Sequence, residues 1–346
     1  MHRLNNQHCR RLLFLSGFFA LVWYTPSALR AQTPQPASPH APSPERKGSG
    51  YIIKAEVNEV VLHATVVDRR GRVVNDLNQN DFHIFEDGAP QTIKSFSHAD
   101  VPVTMGIVID DSGSMKDKRQ AVNAAALIFA KTSNPQDQVF VVNFNDVYYL
   151  DTPGDFATGI EDLKSALDKI DSRGGTALRD AVIASLDHMK LGNRDKKVLL
   201  VITDGDDNAS RYSTAELMDR AQKSNALIYT IGLLGSDENS NLFKIRGGEA
   251  HRAAKALKEL ADATGGDAFF PKSLDEVETT CRQIARDIRN QYTLVYNPSN
   301  VKKDGSFRAI RVDAFQPRTK NKLVVRTRPG YFAPKPTDAP AAAALN

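Results

Sequence analysis

The stretch Asp110-Asp111-Ser112-Gly113-Ser114 sets a carboxylate and two hydroxyls at alternating positions. An apolar run over residues 105–109 precedes it, and a segment with helical periodicity follows. Oxygen donors spaced this way at the C-terminal end of a strand can converge on one point. Hard oxygen ligands suit Mg²⁺, Ca²⁺ or Mn²⁺ rather than soft metals. Two more stretches fall on loops at the same edge. Gly174-Gly175-Thr176 stands just before a helix expected from about Leu178, and Thr203-Asp204-Gly205 directly follows the apolar run 198–202. Together Asp110, Ser112, Ser114, Thr176 and Asp204 supply three hydroxyls and two carboxylates. That is a plausible shell for one hard divalent cation. Few charged ligands leave such a cation electrophilic, and it favours an outside carboxylate in its remaining position. Taken alone, the first stretch reads equally well as a helix N-cap, with Ser112 or Ser114 accepting backbone N–H bonds.

These residues need a scaffold that brings three distant loops together. Residues 103–109, 139–144, 198–202 and 226–233 are apolar without strict alternation, the pattern of strands buried on both faces. Helical stretches separate them. Ser213 with Glu216 and Ser273 with Glu276 each have capping-box spacing, and Thr264-Gly265-Gly266 closes an apolar helical face. Repeated βα units predict a doubly wound, mostly parallel sheet with right-handed crossovers. In such a sheet, ligands bind outside the C-terminal ends of the strands.

With the strand before, the helix after and both distant loops in order, the chain resembles the von Willebrand factor type A fold. The motif Asp110-x-Ser112-x-Ser114, then Thr176, then Asp204, is similar to that family's metal-ion-dependent adhesion site. The resemblance covers about residues 57–332, and its β flanks resemble a bacterial group of exported proteins carrying this domain. It implies that Ser112 and Ser114 bind the metal directly. Thr176 would bind directly or through water, and Asp110 and Asp204 mostly through ordered waters and hydrogen bonds. The implied metal is Mg²⁺, with Mn²⁺ or Ca²⁺ as alternatives, and the sixth position is open to a Glu or Asp of a protein partner.

Other polar residues have plainer readings. Asp111 is expected to point to solvent, with a role in the metal shell as the minor alternative. Asp180 reads either as a hydrogen-bonding group behind the site or, slightly preferred, as an exposed charge in the first turns of its helix. Asp204-Gly205-Asp206-Asp207-Asn208 begins like a calcium loop, but Ala209 stands where the turn glycine belongs and no Glu closes it. Its extra acids therefore read as a solvated loop. No His-Glu-x-x-His, Gly-x-Ser-x-Gly or Walker A pattern occurs. His188 and His251 lie in polar helical company and read as surface histidines. Ser112 has no evident activating base, so the chain is not expected to be an enzyme. Cys281 sits in an apolar helical register with Val277, Ile284 and Ile288, which predicts a buried thiol.

The ends of the chain carry β patterns. Residues 60–67 form a β-branched run ending at Asp68-Arg69-Arg70-Gly71, and Asp87-Gly88 marks a hairpin. Too few strands lie there for a sandwich. Alternating residues near Tyr292, Ile310 and Leu323 supply partners, so both ends are expected to form one small all-β sandwich with the α/β domain inserted. The expected organisation is a signal peptide over 1–31, a disordered linker over 32–50 and an N-terminal β segment over 51–100. The α/β domain with the candidate site then covers 101–290, a C-terminal β segment 291–333 and a disordered tail 334–346. Arg3, Arg10 and Arg11 lead the apolar run 12–24, followed by small residues for cleavage, the plan of an export signal. The protein is thus expected in the periplasm or outside the cell, with an uncleaved inner-membrane anchor as the alternative. A net charge of +4 is too small to argue for nucleic acid. No small-molecule substrate is expected. The function these features support is an exported, metal-dependent protein-binding module. A structural envelope protein whose metal only stabilises the fold is the alternative, and a metal-assisted hydrolase the remote one.

Overall fold

The computed structural model describes residues 59–132, 134–169, 171–234 and 243–335. All belong to one compact unit, Ala55–Asn346. The expected export signal, the linker, the start of the first β segment and nearly all of the tail lie outside the described residues.

Four strands come first: β1 (Val60–Val67), β2 (Phe82–Glu86), β3 (Ala89–Gln91) and β4 (Ile93–Ser97). The turn after β1 closes by a bond from Gly71 N to Asp68 O, at 2.9 Å, with Gly71 at φ +75°. Asp87 and Gly88 take φ of 48° and 82° between β2 and β3, as a two-residue hairpin requires. The middle of the chain alternates strand and helix. It contains β5 (Val103–Asp110), α1 (Arg119–Lys131), β6 (Gln138–Phe144), β7 (Tyr148–Leu150), α2 (Ile160–Leu167) and α3 (Leu178–His188). It continues with β8 (Lys196–Thr203), α4 (Thr214–Lys223), β9 (Ala226–Gly232), α5 (Phe243–Thr264), β10 (Ala268–Phe269) and α6 (Asp275–Arg289). Four strands close the chain: β11 (Tyr292–Tyr296), β12 (Phe307–Ala314), β13 (Val324–Arg326) and β14 (Gly330–Phe332).

The central sheet has the order β10-β9-β8-β5-β6-β7. Its pairings are parallel, except that β7 runs antiparallel on β6. Strands β5, β6, β8 and β9 bury both faces, which explains their apolar runs without alternation. Met105, Ile107 and Ile109 pack on one side with α1 and α6, while Val108 packs on the other with α3 and α5. The helices thus cover both faces, as doubly wound sheets require.

The end strands form two antiparallel four-stranded sheets, β13-β1-β11-β4 and β14-β12-β2-β3. Leu62, Ala64, Phe82, Ile84, Tyr292, Leu294 and Ile310 from both sheets share one buried core. Here the strands do alternate: β12 reads exposed and buried in turn from Phe307 to Val312. The fold is therefore a mostly parallel α/β domain flanked by antiparallel sheets.

The two capping boxes behave differently. Ser213 caps α4, with Glu216 N donating to Ser213 Oγ and Ser213 N to Glu216 Oε2. The second does not form. The backbone turn Glu276 N to Ser273 O starts α6, and the Glu276 carboxylate takes Lys272 N at 2.8 Å instead. α5 ends as expected at Thr264, with Gly265 at φ +84°. Cys281 is fully buried, and burial pushes its thiol up to about 12. It is an unreactive core residue.

Candidate metal centre

β5 ends at Asp110, and the chain then turns sharply into a short 3₁₀ turn, Gly113–Met115. Asp110 is fully buried. Its Oδ1 accepts Ser112 N at 2.8 Å and its Oδ2 accepts Thr203 Oγ1 at 2.5 Å. Burial pushes the Asp110 carboxyl up to about 6; the bonds from Ser112 and Thr203 oppose that rise and the neighbouring Asp204 adds to it. Thr203 is the last residue of β8, two strand ends meet here, and the hydroxyl fixes the Asp110 carboxylate in one orientation.

The hydroxyls converge on the next loop. Ser112 Oγ lies 3.2 Å from Ser114 Oγ, and Ser114 Oγ donates to Asp204 Oδ1 at 2.8 Å. The Asp204 side chain is only 1% exposed. Its second oxygen accepts Lys118 Nζ at 2.5 Å.

Thr176 arrives on the loop before α3. Gly113 N donates to Gly174 O at 3.3 Å and Arg173 N to Asp111 O at 3.1 Å, which ties that loop to the first motif. Asn208 Oδ1 accepts Thr176 N at 2.8 Å, and Thr176 O accepts Asn208 N and Ala209 N. The Thr176 hydroxyl faces Gly205, 3.6 Å from where a Cβ would stand. Both preceding glycines are required. Gly174 sits at φ +73°, and a Cβ there would lie 2.0 Å from Asp146 Oδ2; one on Gly175 would lie 2.6 Å from Asn208 Oδ1. The structure thus links Asp110, Ser112, Ser114 and Asp204 by direct bonds and brings the Thr176 loop beside them through its backbone.

Two readings from sequence are corrected, and that of Asp180 is extended. Asp111 does not point to solvent: it is 3% exposed, takes Asp171 N at 2.6 Å and Ser172 Oγ at 2.9 Å, and lies 3.3 Å from Arg119 Nε. Arg119 is itself 1% exposed and also bonds Asn143 Oδ1, so it needs a buried counter-charge. Asp180 lies in the first turn of α3 as expected, partly exposed, and its carboxylate also clamps the backbone N–H groups of Arg211 and Tyr212. The loop after Asp204 is not merely solvated. Asp207 takes Arg179 N and Ser210 Oγ, and Asn208 holds Thr176. These short polar side chains replace water for a loop that would otherwise leave its donors unpaired.

Lys118 and Thr203 were not singled out from sequence. Thr203 stands next to a chosen residue, and its hydroxyl turns inward only because β8 neighbours β5. Lys118 precedes α1 by one residue, and nothing in its spacing shows it folding back on a residue 86 positions away.

The donor chemistry fits a hard divalent cation. The group offers oxygens alone, the hydroxyls of exposed Ser114 and buried Ser112 with two buried carboxylates beside them, and one lysine opposes the carboxylates. Among the described residues no cluster of three or more His, Cys, Asp or Glu has metal-holding geometry. A cation here would depend on hydroxyls for most of its contacts.

A family model of the von Willebrand factor type A domain matches residues 105–278, half of the chain, and the chain belongs to that family. An uncharacterised protein of Borreliella burgdorferi is 31% identical over 104 residues, 28% of this chain. The match spans only 30% of that relative's length. Among solved structures, a von Willebrand factor type A protein of Catenulispora acidiphila aligns at TM-score 0.45 and 16% identity, over 76% of each chain. The corresponding domain of the pilus tip protein Mfa5 of Porphyromonas gingivalis gives 0.43 and 13%, over 56% of this chain and 96% of that one. Proximal thread matrix protein 1 of the mussel byssus, with a zinc-occupied adhesion motif, gives 0.42 and 19%, over 58% of this chain and 48% of that one.

Proposed function

We propose that the chain is an exported protein-binding module that captures an acidic side chain of a partner protein through a divalent cation. Ser112, Ser114 and Thr176 provide the hydroxyls, while Asp110 and Asp204 orient them and hold cation-bound water. Mg²⁺ is the metal of choice for this oxygen-only set, with Mn²⁺ or Ca²⁺ as alternatives. The reading rests on one observation: Ser112 Oγ, Ser114 Oγ and Asp204 Oδ1 stand in a row at 3.2 and 2.8 Å, backed by the fully buried Asp110. Such a group is expensive to build without a cation to use it. Membership of the type A family supports the same reading.

A second reading gives the cation a structural role only. The observation behind it is that Lys118 already pairs with Asp204 and that backbone bonds already join the loops. A hydrolase finds less support, because the hydrogen-bond partner of Ser112 Oγ is Ser114 Oγ rather than an imidazole.

Calorimetric titration of Mg²⁺ into the wild type and the Asp110→Ala, Ser112→Ala double variant tests the site. Binding to the wild type alone supports it, and equal heats for both proteins sink it. Partner capture with and without chelator then separates the first two readings. A purely structural metal lowers the melting temperature when removed but leaves partner affinity unchanged.

A further inference from the structure

β7 forms the last strand of the six-stranded order, and among the described residues no strand pairs with its outer side. Four consecutive apolar residues stand open there: Val147, Tyr148, Tyr149 and Leu150 are 45, 49, 45 and 42% exposed. Edge strands are usually blunted by charge or proline. This stretch has neither, although it is short.

The backbone of β7 is oriented for pairing. Asn145 N donates to Val147 O at 2.8 Å, and Asp151 N donates to Val141 O at 3.0 Å. Val147 O and Asp151 N therefore face β6, and the register puts Tyr149, between them, in the hydrogen-bonded pair with Asn143. Antiparallel alternation turns the polar backbone groups of Tyr148 and Leu150 outward.

The edge also lines up with the candidate cation site. In the sheet register Asp110 stands opposite Phe144, and Phe144 opposite Tyr148. Two strand spacings put Tyr148 about 10 Å from Asp110, at the same level of the sheet. The ground between them is fixed, because Gly175 N bonds Asp146 Oδ1 and Ala177 N bonds Asn145 O.

We propose that the outer edge of β7 is a strand-docking site for an extended, apolar segment of a protein partner. The segment pairs by main-chain bonds with Tyr148 and Leu150 and buries side chains on Val147 and Tyr149. It carries an Asp or Glu beyond the paired stretch, at the reach of the cation. An added strand lies about 14 Å from the line of β5, which an extended chain covers in about four residues. Main-chain pairing gives affinity without demanding a sequence, and the acid gives register and cation dependence. The acidic contact rests on the metal-dependent reading above; the edge pairing rests on β7 alone.

The probe is a displayed library of random twelve-residue segments, selected on the full chain in Mg²⁺. Selected segments are then measured against the wild type, Leu150→Pro, the Tyr148→Ala, Tyr149→Ala double variant and Asp110→Ala. Proline is tolerated where an edge N–H faces solvent, so Leu150→Pro removes one outward donor without opening the sheet. The expected segments alternate apolar residues and bear an acid about four positions beyond. They lose tenfold or more in affinity on Leu150→Pro, while Mg²⁺ titration of that variant matches wild type. Segments that bind Leu150→Pro within twofold of wild type overturn the edge proposal, and the cation reading stands if Asp110→Ala still abolishes their binding. Segments sensitive to Leu150→Pro but indifferent to chelator overturn the acidic contact. Recovery of no segment at all overturns both parts. Concentration-dependent dimers abolished by Leu150→Pro assign the edge to a second copy of the chain and also overturn it.

Discussion

Lys118 Nζ lies 2.5 Å from Asp204 Oδ2, with the two side chains 13% and 1% exposed. The chain therefore carries its own positive charge at the carboxylate that the cation reading needs. A buried carboxylate without a partner is costly, and Lys118 supplies that partner when no cation does. Metal loading then has to share or displace the ammonium. Lys118→Met is expected to raise Mg²⁺ affinity about tenfold, from relief of repulsion between two cations a few ångströms apart. The same variant melts lower than wild type in chelator and recovers in Mg²⁺. Calorimetry and thermal melts check both parts, and an unchanged Mg²⁺ affinity shows that Lys118 and the cation do not compete.

Thr203 tests orientation rather than charge. Its hydroxyl holds Asp110 Oδ2 at 2.5 Å from the neighbouring strand. Thr203→Val keeps the shape and the β-branch but leaves the carboxylate free to turn. Mg²⁺ affinity is expected to fall about tenfold, in line with the loss of one hydrogen bond to a charged group. Circular dichroism should match wild type. Full retention of Mg²⁺ binding would place Asp110 outside the cation's reach.

The scaffold was readable from the chain, and much of the site's supporting detail was not. Strands β5, β6, β8 and β9 announce themselves as apolar runs, because burial on both faces leaves no room for polar residues. Gly71, Gly88 and Gly265 were legible as turns for the same local reason, a positive φ. Asp111 was misread because its neighbours Ser112 and Ser114 face the site, and its own burial depends on Arg119 arriving from α1. Asp180 and Asn208 satisfy backbone donors on loops far away in sequence. β7 escaped notice since three residues carry no periodicity. Spacing shows which residues can do chemistry. Tertiary packing decides which polar side chains are spent on holding the loops.

Asp111 and Arg119 form the buried pair beneath the site, 3.3 Å apart and each under 6% exposed. Burial holds the Arg119 guanidinium below its ordinary value, while Asp111 favours its charge. Removing one partner strands the other. Asp111→Ala is expected to destabilise the fold by about 3–5 kcal/mol, the usual cost of orphaning a buried charge. It also frees the loop at Asp171 and Ser172, which hydrogen-bond to the Asp111 carboxylate. Urea unfolding measures the loss, and a cost under about 1 kcal/mol would mean that water reaches Arg119.

Lys196 links stability to pH at the opposite end of the central sheet. Lys196 is 4% exposed, and its ammonium donates to Ile288 O. Burial holds its pKa down at about 7, helped by Arg289 and opposed by Asp100 and Asp137. An unfolded lysine keeps its proton up to its ordinary value of 10.5. Between these values the unfolded chain binds more protons than the folded one, so this group makes stability rise as pH climbs from about 7 toward 10.5. Below about 7 both states are protonated and the full cost of a buried ammonium is present. Lys196→Met removes the titration and keeps the apolar stem. Its gain over wild type should be largest near pH 6 and shrink steadily toward pH 10. Groups remote from Lys196 are common to both proteins and cancel in the difference; His63, whose lowered value owes part of its shift to Lys196, titrates below this range. Paired melts across the range give that difference directly. A pH-independent gap between the two proteins would show that Lys196 keeps an ordinary pKa in the folded chain.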